Sequence, residues 1–526
     1  MDARAAVVRA LTCGGAMRKC FLLFVATLSA GALHAQSSTG DGRVEICNAD
    51  EWTFDKGAGG AQHLRGHVCF KHANATMHCD SALLYEDQRV DAFGHVTIDQ
   101  GDSIHADADR LNYNGQERLA RLEGNVRLRD KDMELTTPSL TYALTERRAV
   151  YTSGGHITSK KDGNTLTSQA GSYFAASQRF IFSRNVLLEH PDHRVESDTM
   201  HYVTSSGVCE FFGPTTITQV SSSRPGVSNT VIHTLKGEYN THTERARFTR
   251  RSSVLSKGQL LEGDSVHYDR ESGLGEAWGN VAVSDSSGDV RATGDVGRYY
   301  ERTEHSMITG RAQLIMRMEE DTLFLHGDTL FTSPENGRRT ITARRNVRFF
   351  KSDMQGACDT LLFSDADSII HMCERPVLWS NADQITGDRI SITLRNGTAH
   401  ELHVDQNAML MSRADSVHFD QVCGTTMVGR FRDNELHRLD VEGNARTVYF
   451  AREKKEGEER IIGVNRADCS RMTVTMHSGQ VGSVTFKERP DAVLYPLEKA
   501  PPEELRMKGS DYRINERPVD REDIFR

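Results

Sequence analysis

The chain has 526 residues, of which 37% are hydrophobic and 26% charged, with a net charge of −9. That length exceeds one small core and calls for several domains or a repeat array, and the acidic balance excludes an extended nucleic-acid surface. Eleven prolines against 43 glycines suit many strands joined by tight turns.

The first residues read as a targeting segment. Met17-Arg18-Lys19 supplies positive charge, Cys20–Leu33 is an apolar run too short for a comfortable membrane span, and Ala35 offers a small residue at the cut. We therefore expect a secretory signal peptide over 1–35, with Met17 as an alternative start. No later apolar run reaches membrane length. The strands described below carry charge on one face and lack aromatic girdles, which argues against an outer-membrane barrel. The mature chain is expected to be exported and soluble.

Further along, Ala108–Leu128 reads as two strands and a turn. Asp109-x-Leu111-x-Tyr113 alternates polar and apolar residues, Asn114-Gly115 is a hairpin signal, and Ala120-x-Leu122-x-Gly124-x-Val126-x-Leu128 alternates again. The unit recurs. Tyr113, Tyr142, Tyr173, Tyr202, Tyr239, Tyr268 and Tyr299 are spaced 29, 31, 29, 37, 29 and 31 residues apart, and Phe363, Ile392 and Phe419 continue the series. Gly66-His67, Gly94-His95, Gly124-Asn125, Gly279-Asn280 and Gly443-Asn444 mark the second strand of successive units, and Ser197-Asp198, Gly263-Asp264 and Gly387-Asp388 lead into the first. A period near 30 with two strands per unit predicts an all-β array. Asp is expected to cap the incoming turn, and Gly to permit a bulge beside a solvent-facing Asn or His. The spacing stretches around Ser221–Asn229 and the pattern fades from Lys487, so we expect one lobe over 36–219, continued repeats or a second lobe over 230–486, and an extended tail over 487–526.

Period-2 parity places Leu111, Tyr113, Leu122, Val126, Leu128, Phe180, Phe182, Val186, Leu188, Val281, Phe349, Phe363 and Trp379 on one apolar face, together with Val377, Val417 and Phe419. Two sheets facing each other across that lining form a sandwich-like stack. A closed core would make the protein a structural or adhesive β-solenoid at the cell surface. A slot open along one side would bind acyl chains, with roughly 0.8 kcal/mol for each buried CH₂, and the named residues are its candidate contacts.

Catalytic signatures are absent: there is no G-x-S-x-G, P-loop or H-E-x-x-H. His63, His67, Cys69, His72, His78 and Cys79 do not match a compact zinc site, so no metal or other cofactor is expected. A polysaccharide-active β-helix would need clustered acid or base residues, and the charges are spread evenly. Cys69 with Cys79, or Cys358 with Cys373, could bond across a turn, while isolated buried thiols fit equally well.

The recurring A/G-D-x-L-x-Y and G-N-V-x-L strands following a signal peptide resemble the OstA/LptA group of lipopolysaccharide-transport proteins, and the later segments Asn346–Phe350, Phe419–Gly424 and Val441–Ala445 resemble the longer OstA-like proteins of Bacteroidetes-type bacteria. The resemblance implies an elongated β-jellyroll, open on one side, that is not an enzyme. It implies a location in the periplasm or at the outer membrane, and acyl chains of lipopolysaccharide as the ligand. Edge strands would join other transport-bridge or translocon proteins, or further copies head to tail.

Overall fold

In a computed structural model, the described residues are 43–526 except 55–59, 102–103, 161–162, 192, 220–229, 241, 244, 257, 270, 286, 301, 319–320, 336–337, 365, 396–397, 433–434, 456–457 and 478–479. The expected signal peptide lies outside them. The described chain is an antiparallel array of strands, and its helical turns are short 3₁₀ segments in the C-terminal tail, from Leu497–Lys499 to Asp523–Phe525.

The first strands show how the sequence builds the array. They are β1 (Glu45–Asn48), β2 (Glu51–Phe54), β3 (Gln62–His72), β4 (Ala75–Leu84), β5 (Arg89–Gln100), β6 (Ile104–Asn114), β7 (Leu119–Arg129) and β8 (Met133–Ala143). From β3 onward each pairs with its sequence neighbours. Alternation holds within each half of a strand but changes at its middle. In β6, Ile104, Ala106 and Ala108 are buried, two exposed residues follow, and burial resumes at Leu111 and Tyr113. In β7, Ala120 and Leu122 are buried, three residues intervene, and Val126 and Leu128 are buried. The ladder register shifts at that place, between Asp107 and Arg110 on one strand and Glu123 and Val126 on the other. The strands thus turn a corner while keeping the same side chains inward, and buried residues from both halves join one core.

A repeated side-chain pair holds the corner. Asn125 Nδ2 donates to Asp109 Oδ2 at 2.9 Å, Asn280 to Asp264 at 2.6 Å and Asn346 to Asp328 at 3.1 Å. His67 and His95 take the place of Asn against Asp50 and Asp80, each at 2.8 Å. These carboxylates raise the pKa of both imidazoles through the hydrogen bond first and their charge second. The aspartates therefore bind across the corner and do not cap a turn. Gly124, at φ +77°, is required twice over: a Cβ there would lie 2.5 Å from Asp109 Oδ2.

The Asn114-Gly115 pair is likewise not the centre of a two-residue hairpin. The loop runs over four residues, Gly115 to Arg118, and the positive φ falls on Arg118. Asn114 Oδ1 instead accepts the backbone N–H groups of Gln116 and Glu117. Gly115 N–H donates to Gln88 O at 2.9 Å in the preceding loop, an approach that a Cβ would obstruct at 2.8 Å from the same oxygen.

Buried apolar residues form a long N-terminal cluster ending at Phe211, a small middle cluster around Phe248, and a C-terminal cluster from Ile308 to Met476. Between the first two the corner is lined by buried hydroxyls: Ser197 bonds Thr215 at 2.8 Å and Ser252 bonds Thr234 at 2.9 Å. Cys69 is bonded to Cys47, not to Cys79, and Cys358 and Cys373 are free thiols. Cys79 points into the core beside its strand partner Val68, whereas Cys69 is paired across the strands with His78.

After the strand Asp491–Pro496 pairs with Glu458–His477, the tail crosses the outer surface of the array in reverse order. Gln421 meets Leu505 O and Met507 N, Gln384 meets Asp511 O and Arg513 N, and Arg517 reaches Gln355. Phe525 ends against His326 and Arg311.

Candidate functional site

Because each strand turns a corner, its two ends approach each other, and the line where they meet is the mouth of the fold. One rim carries the turns after His72, Gln100 and Arg129. The other carries the turns after Asn114, Ala143 and Phe174. In the N-terminal part, hydrogen bonds shut the mouth. His72 Nδ1 and Tyr113 Oη are 2.5 Å apart, Tyr142 Oη donates to Gln100 Oε1, and Tyr173 Oη donates to Asp130 Oδ2 at 2.5 Å. The Gln100 amide also donates to Leu144 O at 3.1 Å and Asn74 Oδ1 at 2.9 Å. Burial pushes the phenols of Tyr113 and Tyr142 up to about 12, and burial followed by the Asp130 contact raises Tyr173 as well. The tyrosines therefore remain protonated at neutral pH.

In the C-terminal part the mouth holds a cavity of about 80 Å³. Leu314, Met316, Met318, Leu323, Phe349 and Met354 face it from one sheet and rim, and Leu361, Phe363, Ile370, Ile392, Leu394 and Ala399 from the other. Lys351, Asp353 and Thr398 are its polar lining. Lys351 Nζ is 2.6 Å from Asp353 Oδ1 and 3.6 Å from Asp321 Oδ2. Burial pushes the Asp321 carboxyl up, but bonds from the Ser352 hydroxyl and from the Thr322 and Ser352 N–H groups, with the Lys351 charge, hold it below its ordinary value. The cleft can thus take an apolar chain along its floor and keeps a charged pair at its lip.

The expected contact residues divide between these regions. Leu111, Tyr113, Leu122, Val126, Leu128, Phe180, Phe182 and Val186 are buried in the N-terminal core, and half-buried Leu188 packs against it. Val281 belongs to the middle cluster. Phe349 and Phe363 line the cleft. Trp379 does not share their face: its neighbour Leu378 is in the C-terminal core, whereas Trp379 packs with Ala357 and Val377 and donates to Gln384 beneath the tail. Val377 follows it. Val417 is exposed, and Phe419 packs at a tilt against Tyr512 of the tail. Met316, Met318, Leu323, Leu394 and Lys351 were not anticipated. The usable signal was the tyrosine series, which loses its hydroxyl at Phe363 and Ile392.

Among the described residues no group of three or more His, Cys, Asp or Glu is placed to hold a metal. His67 pairs with Asp50, His72 with Tyr113, and Cys69 with Cys47, which scatters that histidine- and cysteine-rich stretch. A second groove, of about 260 Å³ and lined by Thr215, Thr216, His233, Thr234, Arg251 and Glu262 among others, lies at the hydroxyl-lined corner and is more polar.

Residues 41–198 match a family model described as OstA-like protein. The match ends before the cleft. No curated protein matches the chain. A solved structure, LptH from Pseudomonas aeruginosa, described as the LptA homologous periplasmic component of a lipopolysaccharide transport device, is 15% identical, with 21% of this chain and 78% of that chain covered at a TM-score of 0.19.

Proposed function

We propose that this protein binds acyl chains of lipopolysaccharide in the cleft between Leu314 and Ala399 and serves in lipopolysaccharide transport through the periplasm towards the outer membrane. The observation that carries the reading is an apolar cleft at the mouth of an array whose first third is OstA-like. Each CH₂ moved from water onto this lining contributes about 0.8 kcal/mol, so chain binding needs no catalytic group. Partner proteins would add to the terminal strands. Among the described residues, Glu51–Phe54 pairs only with Gln62–His72 and exposes Trp52 and Phe54, while Asp491–Pro496 pairs only with Glu458–His477 and exposes Val493 and Leu494. Such half-paired edges accept a further strand, from a bridge or translocon protein or from a second copy.

The test is site-specific photo-crosslinking in cells from Met316 and Phe363, with exposed Leu362 as control. Lipopolysaccharide adducts at the first two and none at Leu362 are expected. Equal labelling at all three, or none at any, would sink the reading.

A further inference from the structure

The tyrosine series has a use that the acyl-binding reading does not contain. The three closures of the N-terminal mouth share a tyrosine hydroxyl and one geometry. A tyrosine two residues before a loop reaches a polar side chain on the opposite rim, 41, 42 and 43 residues away in sequence. The partner varies between His, Gln and Asp, but the phenol does not. The same separation sets Asp321 opposite Phe363 and Lys351 opposite Ile392, where the series carries no hydroxyl. There the polar groups turn along their own rim instead: Ser352 Oγ donates to Asp321 at 2.6 Å, and Lys351 bonds Asp353. The cavity lies at these two rungs.

We propose that the residue at this position decides, rung by rung, whether the mouth is shut or admits an acyl chain. Tyr113, Tyr142 and Tyr173 latch it, and Phe363 and Ile392 leave it open. The physical basis is a buried hydrogen bond that cannot be exchanged for one to water without opening the seam. Opening a latched rung strands the phenol and its partner against an entering chain, both buried at Tyr113–His72 and Tyr142–Gln100 and partly buried at Tyr173–Asp130, whereas opening an unlatched rung strands none. The inference rests on the acyl-binding reading and adds that hydroxyl placement, not apolar lining, selects the station. The lining itself is as apolar around Leu122 and Leu128 as around Phe349.

The experiment titrates the purified full chain with a dansyl-labelled fatty acid. The unaltered protein is expected to bind it at the cleft. Phe363→Tyr combined with Ile392→Tyr should weaken binding at least about tenfold, with the circular dichroism unchanged. Tyr113→Phe, Tyr142→Phe and Tyr173→Phe together should create additional binding, read as new photo-crosslinks from Leu128. Tyr142→Phe alone, which keeps the ring, tests the same point if the triple variant does not fold. Normal affinity in a folded Phe363→Tyr, Ile392→Tyr protein, or no added binding in a folded Tyr→Phe protein, would overturn the latch while leaving the acyl-binding reading intact. No binding to the unaltered chain would instead overturn the reading on which the latch rests.

Discussion

Asn125 and Asp109 are bonded side chain to side chain at 2.9 Å across the corner between two adjacent strands, and Gly124 beside them has no room for a Cβ. Gly124→Ala should therefore destabilise the N-terminal part by about 1–3 kcal/mol, through left-handed backbone strain and collision with Asp109. Asn125→Ala removes one exposed hydrogen bond and puts Ala at φ +46°, and should cost about 1 kcal/mol. Asp109→Ala in the Gly124→Ala background should recover part of the loss, because it removes the collision. Urea midpoints of the three variants check the ordering, and an Asn125→Ala cost above that of Gly124→Ala would contradict it.

Core and cleft should separate under truncation. Phe70 is fully buried, and Phe70→Ala should cost about 3–5 kcal/mol. Phe363 is only half-buried on the cleft wall, so Phe363→Ala should cost less than ~2 kcal/mol while weakening fatty-acid binding. Thermal unfolding and dansyl fluorescence measure the two effects on the same samples.

Stability should fall as pH rises through the range set by Asp383. This buried residue has its Oδ1 without a hydrogen-bond partner. Burial pushes its carboxyl from an ordinary 3.8 up to about 7; a bond from Ser412 opposes the shift and the Asp420 charge adds to it. Below the ordinary value both folded and unfolded forms are protonated, and the group contributes no difference. Between about 4 and 7 the unfolded chain releases a proton that the folded chain keeps, so folding is progressively penalised, and above 7 the penalty is constant. Asp383→Asn should remove this contribution, so the variant minus wild-type difference in unfolding midpoint should grow from pH 4 to 7 and then level off. A difference independent of pH would show that Asp383 titrates normally.

The tail should shield Trp379. Removing residues 511–526 takes away Arg513 and Arg517, which bond Gln384 and Gln355. In a background with Trp52 and Trp278 replaced by Phe, the truncated chain should show red-shifted emission and acrylamide quenching that the full chain resists. Unchanged emission would mean that strands, not the tail, bury the indole.

The sequence displays what alternates and repeats. The two-strand period, the inward face of the N-terminal units and the bulge at Gly124-Asn125 follow from local pattern. Trp379 was misplaced because Val377, Leu378, Trp379 and Ser380 are all buried: where a tail covers the second face, alternation no longer distinguishes inside from outside. The role of Tyr113 was half legible. Its recurrence was visible, but its partner His72 lies on the other rim, and which rungs meet across the mouth depends on the bend and stagger of whole strands. Cys47 with Cys69 was obscured for a similar reason, since the short first strand returns to pair with Gln62–His72 and closes a contact that no turn announces.

The tail also has a kinetic consequence. Nearly every strand pairs with a close neighbour in sequence, so the array is built from local contacts, and each new hairpin can zip onto the last as the growing chain delivers it. The bonds of Gln384 to Asp511 and of Gln355 to Arg517 span 127 and 162 residues. They form only after the rungs between them are in register. Docking of Phe525 against His326 is thus expected late in folding, and protection of the tail from proteolysis should report that the strands beneath it have formed.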